Sequence, residues 1–403
     1  MLSPLRLAFL SACIFLASHL VQAQKASQKL SVLATFQQDY STALLINKDS
    51  SRYPRSTKPD GTLSTVGSGD WTSGFFPATL WNLFAETKDP KWEYASRKWS
   101  KALVQEQYNK GTHDLGFMMY CPFGMGYRLT GDTAYKIILI KSAASLASRF
   151  NAKVGAIRSW DHQPKGMGWV YPVIIDNMMN LELLFWASSA SGNPAFKQIA
   201  IAHANTTLAN HFRDNSSSYH VVDYDTNGKV RWRGTHQGYA NASAWARGQA
   251  WGLYGYTVCY RETKDQRYLD KAKQIANYML NHRNMPKDLV PYWDYQAPEI
   301  PNEARDASAA AVAASGMLEM ATYLSDLLEK EHFLAKAKAM IKSLSSPAYM
   351  APVGTNNNFV LMHSTGSAPH NSEVDTPLNY ADYYFLEALQ RQERLAAGKP
   401  ILF

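Results

Sequence analysis

The chain has 403 residues, enough after loss of an N-terminal leader for one large domain or two ordinary ones. Its 41 Lys and Arg against 33 Asp and Glu give a net charge of +8, which favours acidic partners, while the lack of a basic run interleaved with aromatic residues argues against nucleic acid. With 11 Trp, 23 Tyr and 16 Phe the chain is rich enough in aromatics for a carbohydrate cleft or a large core, and its 3 Cys show no spacing with His that would suggest zinc.

Residues 1–23 carry one Arg and an apolar stretch, and close on Val21-Gln22-Ala23, a small-x-small cleavage signal. They predict a cleaved signal peptide, residence in the periplasm and a mature single domain over 24–403. Leu10-Ser11-Ala12-Cys13 looks like a lipoprotein box, but it comes early and the apolar run continues past Cys13, so ordinary cleavage is expected. The stretch is too short and wrongly flanked to anchor the chain in a membrane. Cys121 and Cys259 sit in apolar helical contexts and are expected as small buried side chains.

Short turns of one style recur: Thr-Lys-Asp-Pro-Lys-Trp (87–92), Thr-Gly-Asp-Thr-Ala-Tyr (130–135), Ser-Gly-Asn-Pro-Ala-Phe (191–196) and Thr-Lys-Asp-Gln-Arg-Tyr (263–268). Glu-Lys-Glu-His-Phe (329–333) is a weaker fifth. The Asp or Asn (Glu in the fifth) can cap the following helix, and the aromatic three residues on can pin its first turn. Each turn joins two apolar helices, so the pattern is a repeated αα-hairpin in an all-α chain. Strand-like alternation is scarce, apart from short candidates such as 219–224.

Four polar motifs precede apolar helices. Gly-Thr-His-Asp-Leu-Gly-Phe (111–117) sets Asp114 between Gly111 and Gly116. In Tyr-Pro-Val-Ile-Ile-Asp-Asn-Met-Met-Asn-Leu-Glu (171–182), Asp176 follows an extended lead-in and stands at or near a helix start. There the helix dipole favours its charged form and apolar surroundings its neutral form, which suits a carboxyl group that must both give and take a proton. An N-cap Asp is the plainer reading. In 235–252, on a helix starting near Ser243, Arg247 and Trp251 share a face with Trp245 nearby, a seat for a flat anionic sugar or simply a Trp-rich core helix. In 303–311, Arg305 and Asp306 read as structural, Asp306 capping an Ala-rich helix.

The segments 113–117, 173–182, Ala-Trp-Ala-Arg-Gly-Gln-Ala-Trp (244–251), Val-Pro-Tyr-Trp-Asp-Tyr (290–295), Arg-Asp-Ala-Ser-Ala-Ala (305–310) and Tyr-Ala-Asp-Tyr-Tyr-Phe-Leu-Glu-Ala-Leu (380–389) resemble the unsaturated glucuronyl hydrolases, glycoside hydrolase family 88. The likeness runs from about Trp71 to Leu389. It implies an (α/α)6 barrel with its polar motifs gathered at one mouth, where hairpins alone would also allow an open superhelix. It also implies release of the 4,5-unsaturated glucuronate from lyase-generated glycosaminoglycan oligosaccharides of chondroitin, hyaluronan or heparin type, by hydration of the C4=C5 double bond and without metal or cofactor. By motif, Asp176 becomes the general acid and base and Asp114 the second essential carboxylate. His220 and Gln237 would bind ring hydroxyls. Trp71, Trp160, Trp245 and Trp251 would form the walls, and Arg247 would face the substrate carboxylate or the next sugar.

Two positions depart from the family pattern. In His-Ser-Thr-Gly-Ser-Ala-Pro (363–369), where Ser364 and Ser367 would meet a sulfate on the second sugar, Pro369 stands in place of an expected Lys. Ala78 replaces an expected Gly. Residues alone also allow a glycosidase carboxylate pair, an unsaturated rhamnogalacturonyl hydrolase acting on pectin-derived disaccharides, a polysaccharide lyase, or an exported glycan-binding protein without catalysis.

Overall fold

The structure, a computed structural model, describes residues 32–161 and 166–402; the leader of 1–23 and its cleavage site lie outside the described residues. Residues 32–46 form α1. A hairpin of β1 (Tyr53–Thr57) and β2 (Leu63–Val66) precedes α2 (Phe75–Thr87) and α3 (Pro90–Lys101). A π-helical stretch, Gly116–Gly124, runs into α4 (Met125–Thr130), and α5 (Thr133–Ala147) returns. After the short strands β3 (Phe150–Asn151) and β4 (Ala156–Ile157), β5 (Tyr171–Ile174) leads into a 3-10 stretch, Ile175–Asn180, continuous with α6 (Leu181–Ser191), and α7 (Pro194–Asn210) returns. Strands β6 (Val221–Tyr224) and β7 (Val230–Gly234) precede α8 (Ala246–Thr263) and α9 (Gln266–Asn281). The pair α10 (Ala307–Ala321) and α11 (Leu327–Leu344) follows, then α12 (Asn379–Ala396).

The capped turns start the outer helices. The side chains of Asp89, Asp132, Asn193 and Asp265 accept from the backbone N–H of Lys91, Ala134, Ala195 and Arg267, satisfying amides that a first turn leaves unpaired. The aromatics three residues beyond these caps, Trp92, Tyr135, Phe196 and Tyr268, are all buried. The fifth turn differs from its sequence reading. Asp326, not a Glu of 329–333, caps α11, accepting from Leu328 and Glu329, because all of 329–333 already lies within the helix.

The partner helices form a closed inner ring. α2 packs on Gly116–Gly124, that stretch on Ile175–Asn180, and the latter on α8; α8 packs on α10, α10 on α12, and α12 returns to α2. α3, α5, α7, α9 and α11 lie outside this ring. α1 covers α12, with the Phe36 and Phe385 rings 5.9 Å apart. The architecture is the (α/α)6 barrel. Composition separates the two layers: every residue of α10 is buried, whereas α9 buries one stripe, Tyr268, Leu269, Ala272, Ile275, Ala276 and Met279. Cys259 is buried and Cys121 half-buried, both as free thiols. Among the described residues no helix is long and apolar enough to cross a membrane.

A small antiparallel sheet, β5-β6-β7, stands at the mouth where inner helices begin. Its middle strand is the candidate of 219–224, shortened to Val221–Tyr224. The register sets Ile174 against Val221, and the Ile175 N–H donates to the His220 carbonyl at 3.0 Å. Asp176, just past the end of β5, therefore meets His220, just before β6.

Candidate active site

Two helix starts bring the carboxyl groups together. A Cβ on Gly116 would lie 2.6 Å from the Asn180 Cα, so only glycine admits this contact between the Asp114 loop and the Asp176 segment. The Phe117 N–H donates to Asn180 Oδ1 at 3.1 Å across the same junction. Asp176 lies in the first turn of Ile175–Asn180, whose N-cap is Ile174, so it is not a capping residue. Burial pushes its carboxyl up to about 7; the Arg247 cation opposes that rise and the Asp114 carboxylate adds to it. Asp114 accepts from the Thr112 hydroxyl at 3.0 Å. The side chains of Asp114 and Asp176 keep 15% and 13% of their surface exposed, so both can meet a ligand in the mouth.

Each carboxyl group is backed by a buried histidine. His113 Nε2 lies 3.4 Å from Asp114 Oδ1, and His220 Nε2 lies 3.6 Å from Asp176 Oδ2. Burial holds both imidazoles below the usual histidine range, His220 far below it, with His236 and Arg247 adding to the depression at His220. Both are therefore neutral, so neither supplies a cation that would pull the Asp176 proton off.

A raised carboxyl does not by itself mark the acid. Asp382 is also pushed up to about 7 by burial, against the opposing hydrogen bonds of Val360 and Leu361. Its oxygens, however, accept from the Val360 and Leu361 amides and the Tyr40 hydroxyl, and it is wholly buried. Asp382 ties α12 to α1 and the loop before it. Asp176 Oδ2, by contrast, has no hydrogen-bond partner among the described residues.

The other expected residues divide by exposure. Trp71 and Trp160 remain partly exposed. Trp71 packs on Phe117 and Tyr380, and Trp160 stacks on Trp169 at 5.6 Å with its edge toward His220 and His236. Gln237 is half-buried and donates to the Gly366 carbonyl at 3.1 Å. The Ser367 hydroxyl sits 2.7 Å from His370 Nδ1. Trp245, Trp251 and Ser364 are buried, so they shape the walls from behind rather than presenting a surface to substrate. The Trp251 indole N–H lies near enough to draw the Asp176 pKa down without a formed hydrogen bond.

Arg247 departs most from its sequence reading. Its side chain is 1% exposed and pairs with the buried Asp306 at 2.8 Å. The same fork donates to the carbonyls of Thr365 and Gly366, and it lies over the rings of Trp245 and Tyr380. It faces the loop of 363–369 instead of an open cleft. Asp306 caps α10 as expected, accepting from Ser308 and Ala309. His113, Trp169, His236 and Tyr380 were missed in the sequence, although His113 adjoins Asp114 and Tyr380 opens a motif. Among the described residues, no group of three or more His, Cys, Asp or Glu is arranged to hold a metal ion.

The sequence and the fold match known proteins. The model of Glycosyl Hydrolase Family 88 matches residues 46–403. An unsaturated glucuronyl hydrolase of Formosa agariphila is 46% identical over 332 residues, 82% of either chain. An unsaturated chondroitin disaccharide hydrolase of Streptococcus agalactiae is 32% identical over 86% of this chain and 88% of its own. A crystal structure of an unsaturated glucuronyl hydrolase specific for heparin superposes with a TM-score of 0.89 at 46% identity, covering 92% of this chain and 98% of its own. With the barrel and the motif order in agreement, the chain belongs to glycosyl hydrolase family 88.

Proposed function

We propose that this glycoside hydrolase removes the 4,5-unsaturated glucuronate from the non-reducing end of lyase-generated glycosaminoglycan oligosaccharides, by hydrating the C4=C5 bond. One observation carries the mechanism: Asp176, beside Asp114 at the mouth, has a carboxyl group pushed up to about 7, so it is present near neutrality both as acid and as base. Its proton adds to C4 and leaves positive charge shared between C5 and the ring oxygen. Water adds at C5 and returns a proton to the Asp176 carboxylate. The C5 hemiketal opens by breaking its bond to the ring oxygen. The hemiacetal freed at C1 then collapses and expels the next sugar. One water is consumed and the acid is regenerated, so no proton is gained or lost overall. Asp114 keeps Asp176 protonated through its charge and accepts ring hydroxyls.

The heparin-type disaccharide is the preferred substrate in this reading. The relative described as heparin-specific shares 46% of its residues with this chain, against 32% for the chondroitin disaccharide hydrolase, and Pro369 stands where a Lys is expected for sulfated chondroitin units. Incubation with heparin, chondroitin, hyaluronan and pectin disaccharides bearing the double bond should abolish ultraviolet absorbance fastest for heparin. In deuterated water one deuterium should enter C4 of the released keto sugar, and an unlabelled C4 at early times would refute hydration. We also infer export, from the residues of 1–23; intact mass from the native host should start at Gln24, and a lipidated Cys13 would contradict it.

A further inference from the structure

His220 reads from the sequence as a ligand for sugar hydroxyls, yet its side chain is 1% exposed and offers almost nothing to a sugar. Its hydrogen bonds fix its tautomer. Nδ1 accepts from the backbone N–H groups of His236 and Gln237, each at 3.1 Å. A nitrogen that accepts two amides carries no proton, so in the neutral ring the proton is on Nε2. That Nε2 has no hydrogen-bond partner among the described residues and points at Asp176 Oδ2, which is likewise buried and unpartnered, 3.6 Å away. The separation is about half an ångström too long for a hydrogen bond, the kind of gap that closes when substrate compresses an active site. Because Oδ2 is sealed, the exposed 13% of the Asp176 side chain belongs to its other atoms, and Oδ1 is the oxygen left to meet the cleft.

We propose that His220 is a positioning residue: its Nε2–H holds Asp176 Oδ2, so that the transferable proton sits on Oδ1 and faces the double bond. The inference rests on Asp176 being the acid and base. The charged or titratable groups around the pair are His236, Arg247, His211 and His113 at His220, and Arg247 and Asp114 at Asp176. All of these histidines are held neutral by burial, so Nε2–H is an uncharged donor beside the sealed Oδ2, and the Trp251 indole N–H is a second uncharged donor near the carboxyl group.

Two amides separate this role from sugar binding. His220→Asn keeps an acceptor for the His236 and Gln237 amides but cannot reach Asp176. His220→Gln places an amide nitrogen near the Nε2 position. His220→Asn should lower kcat by about 10–100-fold with KM within about twofold, the scale of a misplaced reacting group. The alkaline limb of kcat/KM should move upward, because the carboxylate loses a donor. His220→Gln should recover part of kcat and return the limb. A raised KM with kcat and the limb unchanged would overturn the proposal and make His220 a sugar ligand; unchanged kinetics would overturn it too. Asp176→Asn in the same assay separates the two failures: if it is inactive while His220→Asn is unaffected, the acid stands and the positioning role falls.

Discussion

Replacing Asp176 by Asn is expected to lower kcat by about 10²–10⁴-fold while the barrel stays folded. The amide keeps the shape of the carboxyl group and removes its proton transfer. Nothing in the cap of the 3-10 stretch depends on it, since Ile174 occupies the N-cap. Stability should rise with this substitution. A carboxyl held at about 7 when folded and near 3.8 when unfolded is protonated more readily in the native state, so it weakens the fold as pH climbs through that window. Above pH 7 the full penalty is present, and its removal is worth up to about 4 kcal/mol. Denaturation at pH 8 and pH 4 should show the gain at the first and little at the second. The wild type needs the protonated form, so kcat/KM should fall about tenfold per unit above pH 7. Asp114→Asn should be nearly inactive as well, because it removes both a charge that helps burial raise the Asp176 pKa and the carboxylate proposed to accept ring hydroxyls. An Asp176→Asn enzyme within tenfold of wild type would sink the assignment.

Arg247→Ala is expected to cost about 3–5 kcal/mol of stability, more than it costs in substrate affinity. It strands the Asp306 carboxylate inside the barrel, frees the Thr365 carbonyl and leaves the Gly366 carbonyl with Gln237 as its donor. The remaining Asp306 contacts, from Ser308 and Ala309, secure only Oδ1. The alkaline limb of kcat/KM should also shift upward, since Arg247 is the cation that restrains the Asp176 pKa. Urea denaturation and a pH–rate profile read the two effects separately. Unchanged stability with a KM raised tenfold or more would return Arg247 to a direct substrate contact.

The sequence alone determined what depends on neighbours a few residues apart. Asp89, Asp132, Asn193 and Asp265 could be read as caps because a cap reaches an amide two residues on. The repeated αα-hairpin could be read because its turns are local, and Asp114 and Asp176 stood out as carboxyl groups preceding apolar helices. The cap placed in 329–333 was misread for the same reason that the others succeeded: Asp326 is the short acid one position before the helix. Tertiary structure decided the direction in which side chains face. Arg247 pairs with Asp306, 59 residues on, and with the Thr365 carbonyl, 118 residues on, so no local pattern could show that its fork is occupied. The tautomer of His220 likewise depends on amides from beyond the next strand, and its approach to Asp176 on the register of β5 with β6. Ring closure places the carboxyl groups, their histidines and the mouth loop in one low-dielectric space. There burial, which no sequence spacing encodes, lifts Asp176 to a pKa suited to the proposed proton transfer.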